Sequence, residues 1–337
     1  MDRALVTGAN GFVGAALCRK LVEQGIRVRG LVRRTSDLSA LADLPVELIV
    51  GALDQPATLR EACTGVDTVF HVAATASDWG TLESFRRVNV EGTRGMLDAA
   101  VSGGAGRFLH VSSVAVHSFT GAQDMDENSP QLPTTFPYCQ SKREAEAVVR
   151  SYQAQGNIAT TIVRPGDVYG PGDRVSLLKL APLLERGWLL QVDGGRRLGA
   201  FAYVENLADG IILAATADCA IGETYVLTDG LRLTWNDYLR RLCAALDRPP
   251  PRGSVPSRPA YVVAAMLETA YGAMGIASRP PITRYLVTHL SKDFHFSVAK
   301  AERELGYAPR IDLETAISRT AQWYVATVRG KAAGPPT

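Results

Sequence analysis

The first half of the chain alternates short apolar runs with stretches in which apolar residues recur every three to four positions. Short apolar runs are typical of buried strands, and the longer period is typical of helices that pack on them. Strands are predicted at 4–6, 27–32, 46–50, 67–74, 107–113 and 159–163, with helices after the first strand and at 57–63, 82–102 and 138–155. This alternation predicts an α/β fold, in which helices cover both faces of a doubly wound parallel sheet.

The alternation ends after residue 165, where glycine and proline become dense and the elements become shorter. We therefore expect residues 1–165 to form the sheet domain, with parts of 200–230 returning to it. Residues 166–200 and 231–329 are expected to form a smaller, mixed C-terminal lobe. The last eight residues, 330–337, are expected to form a flexible tail.

One predicted helix of the smaller lobe, at 261–276, is almost uniformly apolar, with Glu268 as its one charge. A helix that is apolar all round is typical of a buried core element. A surface that faces a membrane or an apolar substrate is the alternative.

Composition narrows the class of protein. At 337 residues, with 46% hydrophobic and 21% charged side chains, the chain has the make-up of a soluble globular protein. The net charge of +2 favours neither nucleic acid nor an acidic surface as partner. No apolar run is long enough to span a bilayer, so membrane association could only be peripheral.

Cysteine and histidine usage indicates neither a disulfide framework nor a metal site. The five cysteines are scattered, odd in number and without a Cys-x-x-Cys pair, which is typical of reduced thiols in the cytoplasm. The five histidines show no spacing suited to a metal. The first strand begins close to Met1, so we expect no leader peptide and a cytoplasmic location.

The first strand leads into a glycine-rich turn, Thr7-Gly-Ala-Asn-Gly-Phe-Val-Gly14, and then into a helix. In this context Gly8 makes the tight turn, Gly11 lets the backbone approach a pyrophosphate, and Gly14 lets the helix pack closely. The free N–H groups of the helix N-terminus favour phosphate. The turn therefore predicts a dinucleotide site in residues 1–165, and a glycine turn without a ligand is the alternative.

A second set of residues suits proton transfer. Tyr138 and Lys142 lie four positions apart on a predicted helix, so they share one face. An ammonium group lowers the pKa of a nearby phenol from its ordinary value near 10, which lets the phenol exchange a proton with a carbonyl or alcohol oxygen. Ser113, at the end of the fifth predicted strand, could hydrogen-bond the same oxygen, and Ser112 is the less favoured choice.

These motifs together resemble the extended short-chain dehydrogenase/reductase family, within the NAD-dependent epimerase/dehydratase superfamily. The motifs are the glycine turn, His71-Val-Ala-Ala74, Asn89-Val-Glu-Gly-Thr93, Val111-Ser-Ser113, Tyr138-Cys-Gln-Ser-Lys142, Arg164-Pro165 and Tyr203-Val-Glu-Asn206. The resemblance implies a Rossmann fold in which Tyr138 is the acid/base, Lys142 tunes its pKa and binds ribose, and Ser113 orients the substrate oxygen. It also implies that Asn89 shapes the helix that feeds a proton-relay water.

The cofactor is predicted to be NADP(H), with NAD(H) possible. The second strand ends in Arg33-Arg34 and supplies no acid to bind the ribose 2′-hydroxyl of NAD. Two guanidinium groups suit a 2′-phosphate, and the alternative is that both face solvent. The full set of predicted cofactor-binding residues is Gly8, Asn10, Gly11, Phe12, Val13, Gly14, Arg33, Arg34, Leu53, Ala73, Ala74, Tyr138, Lys142, Pro165 and Val168.

The substrate is expected to be a hydrophobic small molecule that the smaller lobe recognises. Residues 280–285 and 305–309 look like the 3β-hydroxysteroid dehydrogenase/isomerase-like branch, which implies a sterol-like or 3-hydroxy/3-keto acid substrate. Predicted substrate contacts are Thr75, Ser113, His117, Tyr138 and Gly166.

Two other functions remain open at this point. They are a nucleotide-sugar epimerase or dehydratase, which uses the same triad, and a non-catalytic NADP-binding regulator. The family also commonly dimerises through helices equivalent to 82–102 and 138–155, so the resemblance implies a homodimer.

Overall fold

A seven-stranded parallel sheet forms the centre of the protein. The computed structural model describes residues 1–174 and 176–329. The strands of this sheet are β1 Arg3–Thr7, β2 Arg27–Val32, β3 Val46–Val50, β4 Thr68–His71, β5 Arg107–Val111, β6 Ala159–Pro165 and β10 Thr224–Leu227. Their spatial order is β10-β6-β5-β4-β1-β2-β3, so the order reverses beside β1. The predicted doubly wound α/β fold is confirmed.

Some of the helices cover the two faces of the sheet, and others belong to the smaller lobe. The α-helices in the described part of the chain are α1 Phe12–Glu23, α2 Pro56–Cys63, α3 Leu82–Phe85, α4 Gly92–Ser102, α5 Pro137–Ala154, α6 Leu177–Glu185, α7 Val204–Thr216, α8 Trp235–Ala245, α9 Ser257–Ala273, α10 Arg284–Ser291, α11 Ala299–Leu305 and α12 Leu313–Tyr324. Helices α1 and α7 pack on one face, and α2, α4 and α5 pack on the other. Side chains alternate between the faces, as a strand's period of two requires: Val6 and Phe70 join one core, and Leu5 and Val69 the other.

The helix predicted at 82–102 contains an irregular turn. Between α3 and α4, residues Arg86–Glu91 form a π-helix, and the three segments follow one another without a break. Asn89 lies buried inside this turn. Wider turns of this kind occur mostly at functional sites, and this one contains Asn89, the residue that the family resemblance singles out in this helix.

The smaller lobe contains two two-stranded parallel sheets and its own apolar core. Strand β7, Asp167–Tyr169, pairs with β9, Phe201–Tyr203, and β8, Leu190–Val192, pairs with β11, Gly253–Val255. Helices α6, α8 and α12 pack together over β9. The predicted tail at 330–337 lies outside the described residues.

The apolar helix of this lobe is not a buried core element, and that expectation is wrong. Within α9 the buried residues are Ala260 and Ala264, which pack beside Val192 and Val287. The opposite side of the helix has no neighbour to cover it among the described elements, so its large apolar residues are exposed. No helix in the described part of the chain is both long and apolar enough to cross a membrane.

Candidate active site

The glycine turn between β1 and α1 has the geometry of an anion-binding loop. Gly8 has a φ of 65°, its N–H donates to Leu31 O at 3.2 Å, and its carbonyl accepts from Gly11 N at 2.9 Å. A Cβ atom on Gly14 would lie 2.1 Å from Gly8 O, so only glycine allows α1 to approach the turn this closely. Gly11 caps α1 without a side chain, which leaves the first N–H groups of the helix available to a phosphate.

The other predicted cofactor residues surround this turn. The backbone of Ala73 lies 3.0 Å from where a Cβ on Gly8 would stand, and Ala74 follows it. Phe12 and Val13 begin α1 half-buried, and Val13 packs on the same core as Val168 of β7. The Asn10 amide donates to Asp37 O at 3.3 Å. Leu53 packs against Gly92, and Pro165 is the last residue of β6. Together these residues fit a dinucleotide laid across the carboxyl ends of the strands.

Arg33 and Arg34 follow β2 directly, and both are exposed. Neither side chain has a carboxylate partner within the described residues. Both guanidinium groups are therefore available to an anionic ligand near the end of β2.

A chain of hydrogen bonds runs from the glycine turn to the π-helical turn. Thr7 Oγ1 accepts from Val72 N and Ala73 N, so its own proton goes to His71 Nδ1 at 3.0 Å. His71 Nε2 then donates to Thr93 Oγ1 at 3.0 Å, and Thr93 donates to Asn89 O at 2.6 Å. Burial lowers the pKa of His71 to about 3, so the ring is neutral and can accept a hydrogen bond at Nδ1 while it donates one from Nε2.

The Asn89 side chain joins three segments at the site. Its Oδ1 accepts from Thr75 N at 2.8 Å, and its Nδ2 donates to Thr75 O at 3.1 Å and to Ser141 Oγ at 2.9 Å. Ser141 in turn donates to Tyr138 O at 2.8 Å. Asn89 therefore holds the loop after β4 against the first turn of α5, where Tyr138 lies.

Tyr138, Lys142 and Ser113 come together at the carboxyl end of β5. Lys142 is buried and donates to Val111 O at 2.9 Å. Tyr138 and Ser113 are both half-buried, and the Ser113 hydroxyl is close enough to act on the pKa of the Tyr138 phenol. Ser113 Oγ also accepts from Ala115 N at 3.1 Å, which fixes its direction. The structure thus brings together the three residues that the sequence singled out.

The pKa of Tyr138 differs from the sequence expectation. Burial raises it to about 12, and the nearby Ser113 hydroxyl only partly opposes that rise. The expectation that Lys142 lowers it is wrong for this arrangement, because the ammonium group is bound to the β5 carbonyl and the phenol is desolvated. Burial also lowers the pKa of Lys142 to about 8, against the opposing charge of Glu146.

Ser112 and His117 belong to a buried cluster behind the triad. Arg164 donates to both oxygens of Glu146 at 2.8 Å, and its Nη1 lies 3.0 Å from His117 Nε2. Burial favours the neutral acid, but Arg164 outweighs it and lowers the pKa of Glu146 to about 2, with help from Ser112. His117 is fully buried, and its pKa falls to about 4 through burial and Arg164. These contacts are structural, so the predicted substrate contact of His117 is corrected.

The remaining predicted substrate residues line the same edge. Thr75 is held by Asn89 and is half-buried. Gly166 joins β6 to β7, where a Cβ would lie 1.8 Å from Ala200 O, so its role in the fold is close backbone packing.

An aromatic wall that the sequence did not predict stands beside Tyr138. Tyr285, from α10, lies 6.4 Å from the Tyr138 ring, 5.3 Å from Phe136 and 5.0 Å from Phe119 between ring centroids. Phe119 and Phe136 come from the loop before α5, so no local spacing connects them with Tyr285. We refer to Phe119, Phe136 and Tyr285 as the aromatic wall.

The loop after β4 is fastened to the smaller lobe near this wall. Asp78 forms an ion pair with Arg279 at 2.5 Å and accepts from Thr283 Oγ1 at 2.6 Å. Trp79 packs edge-on against Tyr271 of α9 at 6.4 Å. Because Thr283 caps α10, these contacts hold the helix that carries Tyr285 over the site.

Sequence comparison finds relatives over nearly the whole chain. Residues 4–227 match the model of the NAD dependent epimerase/dehydratase family. The 2-alkyl-3-oxoalkanoate reductase of Stenotrophomonas maltophilia is 31% identical, across 94% of this chain and 98% of the relative. A farnesyl-dihydroquinoline-oxide ketoreductase of Stigmatella aurantiaca is 34% identical, across 92% of each chain. The 3-beta-hydroxysteroid dehydrogenase of Mycolicibacterium neoaurum is 32% identical, across 96% and 92%.

Solved structures share the architecture. The crystal structure of a protein designated gox2253 superposes with a TM-score of 0.80 at 34% identity, covering 98% of this chain and 99% of its own. The dTDP-glucose 4,6-dehydratase DesIV from Streptomyces venezuelae, solved with NAD, superposes with a TM-score of 0.78 at 26% identity, covering 98% of each.

Proposed function

The chain belongs to the NAD dependent epimerase/dehydratase family and is an enzyme acting on alcohol or ketone groups, and we propose that it interconverts a hydrophobic secondary alcohol and its ketone. The family resemblance predicted from the motifs is confirmed. The position of Tyr138 one helical turn before buried Lys142, which is bound to Val111 O at the end of β5 close to Ser113, carries the proposal. This group lies at the strand ends beside the glycine turn.

The chain's own residues bind the substrate oxygen and move its proton. In ketone reduction, Tyr138 gives its phenolic proton to the oxygen, and the Ser113 hydroxyl donates a hydrogen bond to the same atom. In this proposal the Lys142 ammonium turns from the β5 carbonyl toward the phenolate that forms and stabilises it by its charge. The nicotinamide dinucleotide, when bound, supplies the hydride or accepts it in the reverse direction.

The cofactor in this proposal is NADP(H), held by the glycine turn, by the segments that end at Ala73, Ala74 and Pro165, and by Lys142. The pair of unpaired guanidinium groups after β2 supports the 2′-phosphate. The sheet domain, residues 1–165 with part of 200–230, binds the cofactor. The smaller lobe, residues 166–200 and 231–329, contacts the substrate.

The substrate in this proposal is a bulky 3-keto acid, a 3-hydroxy acid or a sterol-like alcohol. The aromatic wall beside Tyr138 supports an apolar ligand, since it offers ring faces and edges rather than charges. A nucleotide-sugar epimerase or dehydratase is the second candidate, supported by the likeness to the NAD-bound dehydratase. A homodimer formed through α3, α4 and α5 completes the proposal, with the mass from light scattering as its measurement.

Substitution of Tyr138 tests the reaction. Tyr138→Phe should lower turnover of a 3-keto acid by about 10²- to 10⁴-fold, because the proton donor is lost. Binding of the cofactor, followed by fluorescence titration, should stay near that of the wild type. Tyr152→Phe removes a hydroxyl from the same helix and should keep full activity. Equal turnover in both variants would contradict the proposal, and turnover of nucleotide sugars alone would favour the second candidate.

Substitution of Arg33 tests the cofactor. Arg33→Ala should raise the KM for NADP(H) by about tenfold, because one charge-assisted contact of ~1.4 kcal/mol is lost. The KM for NAD(H) should stay nearly unchanged. Arg60→Ala is the control, because this exposed arginine of α2 lies away from the end of β2. Equal efficiency with NAD(H) and NADP(H) in the wild type would overturn the NADP(H) assignment.

A further inference from the structure

Helix α9 presents apolar side chains to solvent along its whole length. Val262 and Met266 are 53% and 68% exposed, and Met274, directly after the helix, is 64% exposed. Val262, Met266 and Ala273 recur at helical spacing on one side of α9, opposite the buried Ala260 and Ala264. We call this side the outer face of α9. Contiguous apolar surface of this kind marks a contact with a partner.

The charges near α9 are net positive. Residues 247–293 contain six basic residues against three acids, Asp247, Glu268 and Asp293. Glu268 is paired with Arg284, and Arg279 with Asp78. Arg258 is exposed and has no carboxylate partner within the described part of the chain. Lys292 is also exposed, and its Nζ donates to Phe119 O at 2.8 Å.

One of these cations belongs to α9 itself. Arg258 lies in the first turn of the helix, four positions before Val262, so its side chain shares the outer face. A cation is disfavoured by the helix dipole at this end, and an anion bound there would relieve the conflict.

A cleft of about 620 Å³ opens beside the outer face. Arg258 and Tyr261 of α9 line it together with Lys292, Phe119 and Phe136. The same two phenylalanines belong to the aromatic wall that reaches Tyr138. The cleft therefore lies between the outer face of α9 and the wall of the candidate active site.

We propose that the outer face of α9 docks on the surface of a lipid bilayer that contains anionic headgroups. Apolar side chains enter the interface while Arg258 and Lys292 attract the headgroups, as in helices that lie in the plane of a membrane. A second copy of this chain fits the surface less well, because pairing would bring two segments of the same positive charge together.

Docking places the cleft at the membrane surface. An apolar substrate can then leave the bilayer through the cleft and reach the aromatic wall without crossing water. This route rests on the proposed function, whereas the docking itself does not.

Vesicle flotation tests the docking with the full-length protein. Vesicles of equal parts phosphatidylcholine and phosphatidylglycerol should bind the protein, and vesicles of phosphatidylcholine alone should bind it at least about tenfold less, since Arg258 and Lys292 each contribute about 1 kcal/mol. Val262→Glu with Met266→Glu should reduce binding by at least about tenfold. Ile221→Glu, the same change at an exposed apolar residue between α7 and β10, should leave binding unchanged.

The charges are tested separately. Arg258→Ala should weaken binding about fivefold, because each cation near an anionic surface contributes about 1 kcal/mol. Arg60→Ala should not weaken it. Raising the salt concentration should release the protein, because screening shortens the reach of the charges.

Turnover of a short-chain 3-keto acid without vesicles separates this proposal from the proposed function. The glutamate variant should keep that turnover while it loses vesicle binding. Absence of binding to anionic vesicles, or equal binding by the glutamate variant and the wild type, overturns the docking even if turnover is normal. A change from dimer to monomer in the glutamate variant, with no vesicle binding by the wild type, would assign the face to a second copy.

Discussion

Two adjacent serines illustrate how much depends on single residues at this site. The Ser113 hydroxyl opposes the rise in the pKa of Tyr138, whereas buried Ser112, one position earlier, helps to lower the pKa of Glu146. Successive side chains of an extended segment face opposite sides, so the two hydroxyls cannot share one role. The sequence motif contains both serines, and only their placement beside α5 distinguishes them.

Replacement of each serine tests this distinction. Ser113→Ala should lower kcat for ketone reduction about 10- to 100-fold, because a hydrogen bond to a developing negative charge contributes about 1.5–3 kcal/mol. Ser112→Ala should stay within about threefold of the wild type, since its hydroxyl does not reach the substrate oxygen. Steady-state kinetics on one keto substrate checks both variants, and a larger loss in Ser112→Ala would reverse the assignment.

At the scale of elements, α5 carries both the acid/base pair and the charge that tunes it. Tyr138, Lys142 and Glu146 are spaced four apart, so they form one column on the buried side of the helix. Arg164, at the end of β6, fixes Glu146 through a two-bond contact. The helix and the strand thus act together on the charge of Lys142.

The pH profile of reduction tests this coupling. Lys142 is charged below its pKa of about 8, so ketone reduction should decline as the pH rises above that value. Glu146 raises the pKa of Lys142, and Glu146→Gln should therefore move the alkaline decline to lower pH. Arg150→Met, which removes the exposed partner of Glu146, is the control and should move it little. An unchanged alkaline limb in Glu146→Gln, in protein that remains folded, would refute the coupling.

At the scale of the whole molecule, neutral histidines are built into the core of the sheet. His71 and His110 lie on neighbouring strands with ring centroids 5.6 Å apart, and burial lowers the pKa of both. The ring nitrogens of His110 have no hydrogen-bond partner among the described residues, although a core histidine usually has one. Protonation is therefore far easier in the unfolded chain, where the pKa of histidine is near 6.5.

Stability should consequently fall as the pH drops below about 6.5, because the unfolded chain then binds protons that the folded protein excludes. Each such histidine contributes a loss of about 1.4 kcal/mol per pH unit until its folded pKa is reached. His110→Phe should raise the free energy of unfolding at pH 7 by about 1 kcal/mol and reduce the acid loss. Urea unfolding at two pH values measures both effects, and an identical acid loss in the variant would contradict this account.

The sequence by itself determined the parallel sheet, the glycine turn and the Tyr138–Lys142 pair, because these depend on short-range periodicity and on spacing within one helix. It also located six of the seven strands of the central sheet to within three residues at either end, for the same reason. Only the tertiary structure decided the pKa of Tyr138, the burial of His117, the aromatic wall and the exposure of α9. Those features depend on which distant segments desolvate or cover a residue, and such neighbours leave no mark on the local pattern.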